Sequence, residues 1–238
     1  MTAPVMPLEF ADARETADLA AFLARLLHYD RAAAVRMQAG GGALAVFGRP
    51  PSFEVLAIRT ARLTERHDFD LTVSAGELLE SLESLESQEP PDAEGTGTGP
   101  GALPGAVTGP PWTGVLPPRG GWRELPGLPD PVALREAVTT AVAEFRARDE
   151  ALPEARRTRA ERELIGREIW SRTVGSTPLP LRAVHAAQSL GFLRPVPDLP
   201  VALLAAGSWL RLRTPFGSIA LRGRGDGLGT LAVSVGTG

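Results

Sequence analysis

The feature of this sequence that most constrains its fold is a tract rich in proline and glycine at residues 90–130. It contains 20 glycine or proline residues and almost no periodic apolar pattern. Such a composition is typical of an extended connector, because proline lacks an amide hydrogen and glycine loses much conformational entropy in regular structure. The tract therefore predicts a domain at residues 1–89, a linker at 90–130, a second domain at 131–224 and a flexible tail at 225–238.

The two predicted domains differ in charge. The formal net charge is −8 over residues 1–130 and +5 over residues 131–238. We expect two separately packed cores with unlike surfaces. All 25 basic residues are arginine, which is typical of a GC-rich genome, so the absence of lysine carries little functional information.

Composition excludes several kinds of site. The chain has no cysteine, which excludes disulfides, thiolate nucleophiles and cysteine-based metal centres. Its apolar runs are far shorter than the roughly 20 residues of a membrane-spanning helix, and its first residues lack the pattern of an export signal. We therefore expect a soluble, cytoplasmic protein with no membrane partner.

The first part predicts an α+β domain with two helices and an antiparallel sheet. Residues 12–29 have an amphipathic helical pattern that begins at a capping box formed by Asp12 and Glu15. A second helix is predicted to start at Ser74. Strand-like segments lie between the helices, at 33–38, 43–48, 53–63 and 69–73. Gly40–Gly42 predicts a hairpin turn between the first two strands, because glycine adopts positive φ without strain.

The second part predicts a mainly helical domain that ends in a β-hairpin, which makes the whole chain α+β. Helical apolar spacing starts at Asp130, where an N-cap residue is followed by a proline at the first helical position. It recurs at 153–173 and 178–190. Residues 208–224 then alternate around Pro215–Gly217, as a hairpin does.

One face of this hairpin is the best candidate for a binding surface. The apolar side chains alternate onto the opposite face, where Leu210, Leu212, Ile219 and Leu221 would point inward. The candidate partner-binding residues are Trp209, Arg211, Arg213, Arg222 and Arg224. We expect this face to contact a macromolecule, with a protein as the preferred partner and a nucleic acid as the alternative.

Two tryptophans in the connector, Trp112 and Trp122, have two possible roles. They lie among prolines, so they could form a peptide motif that a partner binds in the polyproline II conformation. Alternatively, they fold back and fasten the connector onto one of the domains.

The order of elements in the second part resembles that of a winged-helix module. Residues 180–194 look like the recognition helix, with Arg182, His185 and Gln188 as its polar side chains, and residues 208–224 look like the wing. The resemblance implies DNA binding, with salt-sensitive phosphate contacts. Those contacts would come from the arginines of the hairpin and from Arg156, Arg157, Arg159 and Arg162 on the preceding helix. The alternative is a solvated surface in which these arginines pair with nearby glutamates.

No catalytic, cofactor or metal site is evident in the sequence. His28, His67 and His185 are far apart and lack a metal-binding spacing, so we expect a structural role for each. The preferred interpretation is a non-enzymatic regulatory or adaptor protein. Two alternatives stay open: a winged-helix DNA-binding regulator, and an enzyme or small-ligand binder that uses a groove between the two parts.

Overall fold

The computed structural model describes residues 8–86, 103–196 and 198–223. Within these residues the chain forms five α-helices and six strands, and the strands make one antiparallel sheet. The predicted α+β class is confirmed, as is the β-hairpin near the end of the second part.

The helices are α1 (Ala13–Tyr29), α2 (Ala75–Glu86), α3 (Pro131–Glu150), α4 (Arg159–Ser171) and α5 (Leu181–Ser189). The strands are β1 (Ala34–Gly48), β2 (Leu56–Ser74), β3 (Arg123–Leu125), β4 (Ala202–Ala206), β5 (Trp209–Thr214) and β6 (Gly217–Arg222). Their order across the sheet is β1-β2-β6-β5-β4-β3.

Capping residues set the starts of the helices where the sequence predicts them. The Asp12 carboxylate accepts a hydrogen bond from the Glu15 amide at 3.1 Å. The Asp130 carboxylate accepts two, from the amides of Val132 and Ala133 at 2.8 and 2.9 Å. These bonds satisfy amides that have no partner inside the helix. Helix α4 starts later than predicted, because its cap is Thr158 rather than a residue near position 153.

The triple glycine does not form a hairpin turn. Strand β1 continues through Gly40–Gly42, where the register changes: Gly41 faces His67, whereas Ala43 faces Arg62. Gly41 has a φ of 63°, but the chain is not reversed there: between these pairs one residue of β1 stands opposite four residues of β2, which is a bulge on β2. The four short strands predicted in the first part are therefore two long ones.

One sheet and one core join the two halves of the chain. Leu56–Ile58 of β2 pair with Ser218–Ala220 of β6, so a strand from each half lies side by side. Helices α1 and α2 pack on β2, and α5 packs on β6 with α3 and α4 against it. Buried residues from both halves form a single apolar cluster. The expectation of two separately packed cores is wrong for this reason, whereas the predicted domain boundaries stay a prediction.

An ion network around the buried Arg59 crosses the junction between the halves. Arg59 on β2 is 6% exposed, and its guanidinium lies 3.2 Å from Asp18 and 3.5 Å from Glu15. It also donates to the carbonyl of Phe216 at 2.8 Å. Asp18 accepts a second hydrogen bond, from Arg194 at 2.7 Å. Polar contacts as well as apolar packing therefore hold the two halves together.

Candidate binding face of the sheet

The predicted binding residues lie on the face of the sheet that points away from the helices, here called the outer face. Trp209 pairs with Arg222 across β5 and β6, Arg211 with Ala220, and Arg213 with Ser218. The neighbouring positions, Leu210, Leu212, Ile219 and Leu221, are buried in the core. The alternation inferred from the sequence is therefore present. Arg224 lies outside the described residues, and a binding role for the face stays a prediction.

A small apolar cluster occupies the middle of the outer face. Its buried members are Phe47, Leu56, Ile58 and Ala220. Trp209 packs against it from β5, and the connector contributes Trp112 and Leu116. This contact is the one expected if Trp112 fastens the connector to the sheet. The alternative role as a motif for a partner stays a prediction.

Hydrogen bonds fix the connector over β1 and β2. Arg36 donates to the carbonyl of Thr113, and the amide of Val107 donates to the carbonyl of Thr72 at 2.8 Å. Arg36 also forms a two-pronged ion pair with Asp70, with both N–O distances 2.7 Å. The hydrogen bond from Arg36 lowers the pKa of Asp70. The Asp70 carboxylate thus stays ionised and orients the arginine that binds the connector.

Trp122 lies beside Arg211 at the other end of the docked connector. The indole nitrogen of Trp122 donates to the carbonyl of Pro118 at 3.0 Å. The Arg211 guanidinium lies 5.8 Å from the centroid of the Trp122 ring. Burial lowers the pKa of Arg211, and the charge of Arg213 lowers it further. The Nε atom of Arg211 is buried and has no hydrogen-bond partner among the described residues.

Arg213 and Arg222 are exposed. The Arg222 guanidinium lies 5.4 Å from the centroid of the Trp209 ring, within the range of a cation–π interaction. Among the described residues, no carboxylate forms an ion pair with Arg119, Arg211, Arg213 or Arg222. Within the described parts of the chain, the outer face therefore carries positive charge that no ion pair neutralises.

Unlike the arginines of the outer face, most of the arginines predicted to contact phosphates near α4 are paired with carboxylates. Three of them form ion pairs at 2.6–2.8 Å: Arg156 with Glu161, Arg159 with Glu163, and Arg162 with Asp149. Arg157 donates instead to the backbone carbonyls of Glu150 and Leu152 at 2.8 and 2.9 Å. The arginines near α4 thus form the salt-bridged surface that was the alternative to phosphate contacts.

The winged-helix resemblance is wrong. The proposed wing, β5 and β6, lies in the middle of the six-stranded sheet instead of projecting from the molecule. The proposed recognition helix, α5, packs against α3, α4 and β6. Arg182 lies 3.8 Å from Glu54, and the His185 ring stacks on Trp170 with centroids 4.4 Å apart. Two of the three side chains that would have to read DNA bases, Arg182 and His185, therefore have partners within the protein.

The histidines lie in separate surroundings. His28 and His67 contact Tyr29 and Phe69 edge to face, and burial lowers the pKa of His185. Within the parts of the chain that the structure describes, no three histidine, aspartate or glutamate side chains are grouped as metal ligands. None of the helices in those parts has the length and apolar content that crossing a bilayer requires.

A pocket of about 320 Å³ opens on the outer face between β1, β2 and the connector; it is here called the connector pocket. Its apolar lining includes Phe47, Ile58, Pro117 and Pro118. Its polar lining consists of Gln38, Thr60, Arg119 and Arg211. The lining contains two cationic groups and no carboxylate.

Comparisons with known proteins give two family matches. A model described as "Domain of unknown function (DUF8010)" matches residues 3–114, and one described as "Domain of unknown function (DUF8185)" matches residues 117–226. The two matches meet within the connector. A search of curated proteins finds no match to the chain.

A search of solved structures finds similarity to a chain described as "Crystal structure of DNA polymerase sliding clamp from Pseudomonas aeruginosa with ligand". The sequence identity is 13% and the TM-score is 0.46. The alignment covers 87% of this chain and 62% of the clamp chain, so the protein spans less than two thirds of that chain's length.

Proposed function

We propose that this protein is a non-enzymatic regulatory or adaptor protein that binds an acidic protein partner through the outer face of its sheet. The contact surface is the cationic strip, formed by Trp209, Arg211, Arg213 and Arg222. The observation that supports this proposal is that three arginines lie together on one face of the sheet with no ion pair to a described carboxylate, whereas ten of the other described arginines form ion pairs.

The strip is arranged in a way that favours an anionic partner. Arg211 and Arg213 lie on the same face of β5, and the charge of Arg213 lowers the pKa of Arg211. Their mutual repulsion is a free-energy cost that an acidic partner would relieve. Trp209 holds Arg222 by a cation–π contact, so this arginine loses little side-chain entropy on binding.

The local surroundings favour a protein over a nucleic acid. Glu124 and Arg213 line the same surface pocket, together with Pro200 and Pro215. A carboxylate at this position repels a continuous phosphate backbone, which binds best to an uninterrupted row of cations. A protein surface can instead place a single acidic side chain on Arg213 and an apolar one on the neighbouring prolines.

Charge reversal within the strip tests the proposal. We expect Arg213→Glu combined with Arg222→Glu to weaken binding of a fluorescein-labelled, aspartate-rich peptide by about tenfold or more at low salt. The matched control is Arg159→Glu combined with Arg167→Glu on α4, which changes the net charge equally at exposed positions. Fluorescence anisotropy measures both. Equal weakening by the two double variants, or no peptide binding at low salt, would contradict the proposal.

A parallel titration with a random-sequence DNA duplex tests the nature of the partner. We expect little retention of the duplex, with no difference between the strip variant and the α4 control. Tight, salt-sensitive duplex binding that only the strip variant abolishes would make the partner a nucleic acid. That result would overturn the choice of a protein.

A further inference from the structure

We infer that the connector pocket is a binding site for a small organic anion with an apolar body. The inference does not depend on the macromolecular partner proposed above. The two sites share Arg211, but the remaining pocket residues come from β1, β2 and the connector.

The lining of the pocket contains no carboxylate, although the charge of Arg119 also lowers the pKa of nearby Asp70. The Nε atom of Arg211 is buried without a hydrogen-bond partner among the described residues, and Arg119 lines the pocket with it. A buried donor without an acceptor is a free-energy cost that folded proteins rarely retain. An anion between the two arginines would accept that hydrogen bond and neutralise their charge.

Arg36, on β1, differs from Arg211 because its charge is neutralised by a carboxylate. Its guanidinium bonds both oxygens of Asp70 and the carbonyl of Thr113. Gln38, which lines the pocket, donates to the same carboxylate at 2.8 Å. Asp70 therefore interacts with Arg36, Gln38 and Arg119, whereas Arg211 forms no ion pair with a carboxylate of the described residues.

The apolar side of the pocket indicates that the ligand has an apolar body as well as an anionic group. Phe47 and Ile58 belong to the apolar cluster of the outer face, and Pro117 and Pro118 line the pocket from the connector. A free inorganic anion would leave this surface exposed to water. The volume of about 320 Å³ lies at the small end of the range for ligand sites. The chemistry thus fits a compact apolar molecule with one anionic group.

Isothermal titration calorimetry of the full chain with 2-naphthoate tests the inference, with the neutral 2-naphthamide as the matched compound. We expect one saturable site for 2-naphthoate with a Kd below about 1 mM, and binding of 2-naphthamide weaker by about tenfold or more. Arg211→Met should weaken 2-naphthoate binding by about tenfold, because it removes the charge and keeps an apolar side chain.

Two further variants keep the test decisive if Arg211→Met disturbs folding. Ala45→Leu fills the pocket without changing any charge, and it should abolish 2-naphthoate binding while peptide binding to the strip is retained. Arg167→Gln on α4 removes a distant exposed charge and should leave 2-naphthoate binding unchanged. The inference is overturned if 2-naphthoate shows no saturable binding up to about 5 mM, or if Ala45→Leu binds it as tightly as the parent chain.

Discussion

At the scale of single residues, Arg59 shows how a charge can be buried in this fold. Its side chain is 7% exposed, and Asp18, Glu15 and the Phe216 carbonyl surround it. Removing one member of a buried ionic group is costly, even though here Asp18 would keep Arg194 and Glu15 would keep Arg62. The energetic importance of an arginine here depends on its burial rather than on the number of its partners.

We expect Arg59→Ala to lower the free energy of unfolding by about 3 kcal/mol, because Asp18, Glu15 and the Phe216 carbonyl each lose a partner at a buried position and a cavity is created. Urea denaturation followed by circular dichroism measures this loss. The matched control is Arg62→Ala on the same strand. Arg62 also pairs with Glu15, but its side chain is 71% exposed, so its removal should leave stability nearly unchanged. Similar losses for the two variants would contradict this account of Arg59.

At the scale of elements, the connector is part of the packed structure. Beyond residue 102 it lies on the outer face through Trp112 and Leu116, and it then supplies β3, whose three residues pair with β4. Proline favours this role, because an already stiff chain loses little entropy when it docks. The same segment forms one wall of the connector pocket, so the pocket depends on the docking of the connector.

We expect Trp112→Ala to increase the rate of tryptic cleavage at Arg119 by about tenfold, because proteolysis requires local opening of the connector. Mass spectrometry of timed digests identifies the cleaved bond. Val115→Ala is the control, since Val115 is 45% exposed in the same segment and contributes little to docking. Equal cleavage rates in the two variants would show that Trp112 does not fasten the connector.

The elements that the sequence predicts well are those with local signals. Asp12 and Asp130 mark the starts of helices through bonds to amides two or three residues away, and the β5–β6 hairpin follows from its own alternation. The register change at Gly41 has no such local signal. Whether the glycines form a turn or stay within a strand depends on how β1 pairs with β2, which the glycines alone do not determine. On the candidate binding face, too, some features follow from local signals and others depend on contacts between distant segments. Alternation gives the residues of the cationic strip, but Trp122 lies beside Arg211 through a contact between distant segments.

At the scale of the whole molecule, the two halves share one sheet and one core, whereas the predicted domain boundaries stay a prediction. The composition of residues 90–130 indicates separate units, but composition carries no information on which strands become neighbours. Pairing of β2 with β6 is a contact between segments far apart in the chain. Such pairing depends on how the apolar faces of the whole fold pack together. The core therefore spans both halves in spite of the connector.

We expect the protein to unfold in one cooperative transition, because the two halves share a core and the ion network around Arg59. In differential scanning calorimetry, the calorimetric and van't Hoff enthalpies should agree. Two resolved transitions, or a van't Hoff enthalpy near half the calorimetric value, would instead indicate that each half unfolds by itself.

The pairing of β2 with β6 also affects how the chain folds during synthesis. The edge of β2 at Leu56–Ile58 is synthesised before the connector and helices α3–α5, whereas its partner, Ser218–Ala220, is synthesised after them. Until then these backbone amides and carbonyls form an open strand edge, the kind of surface that recruits other chains. The nascent first half consequently needs shielding from aggregation until β6 closes the sheet.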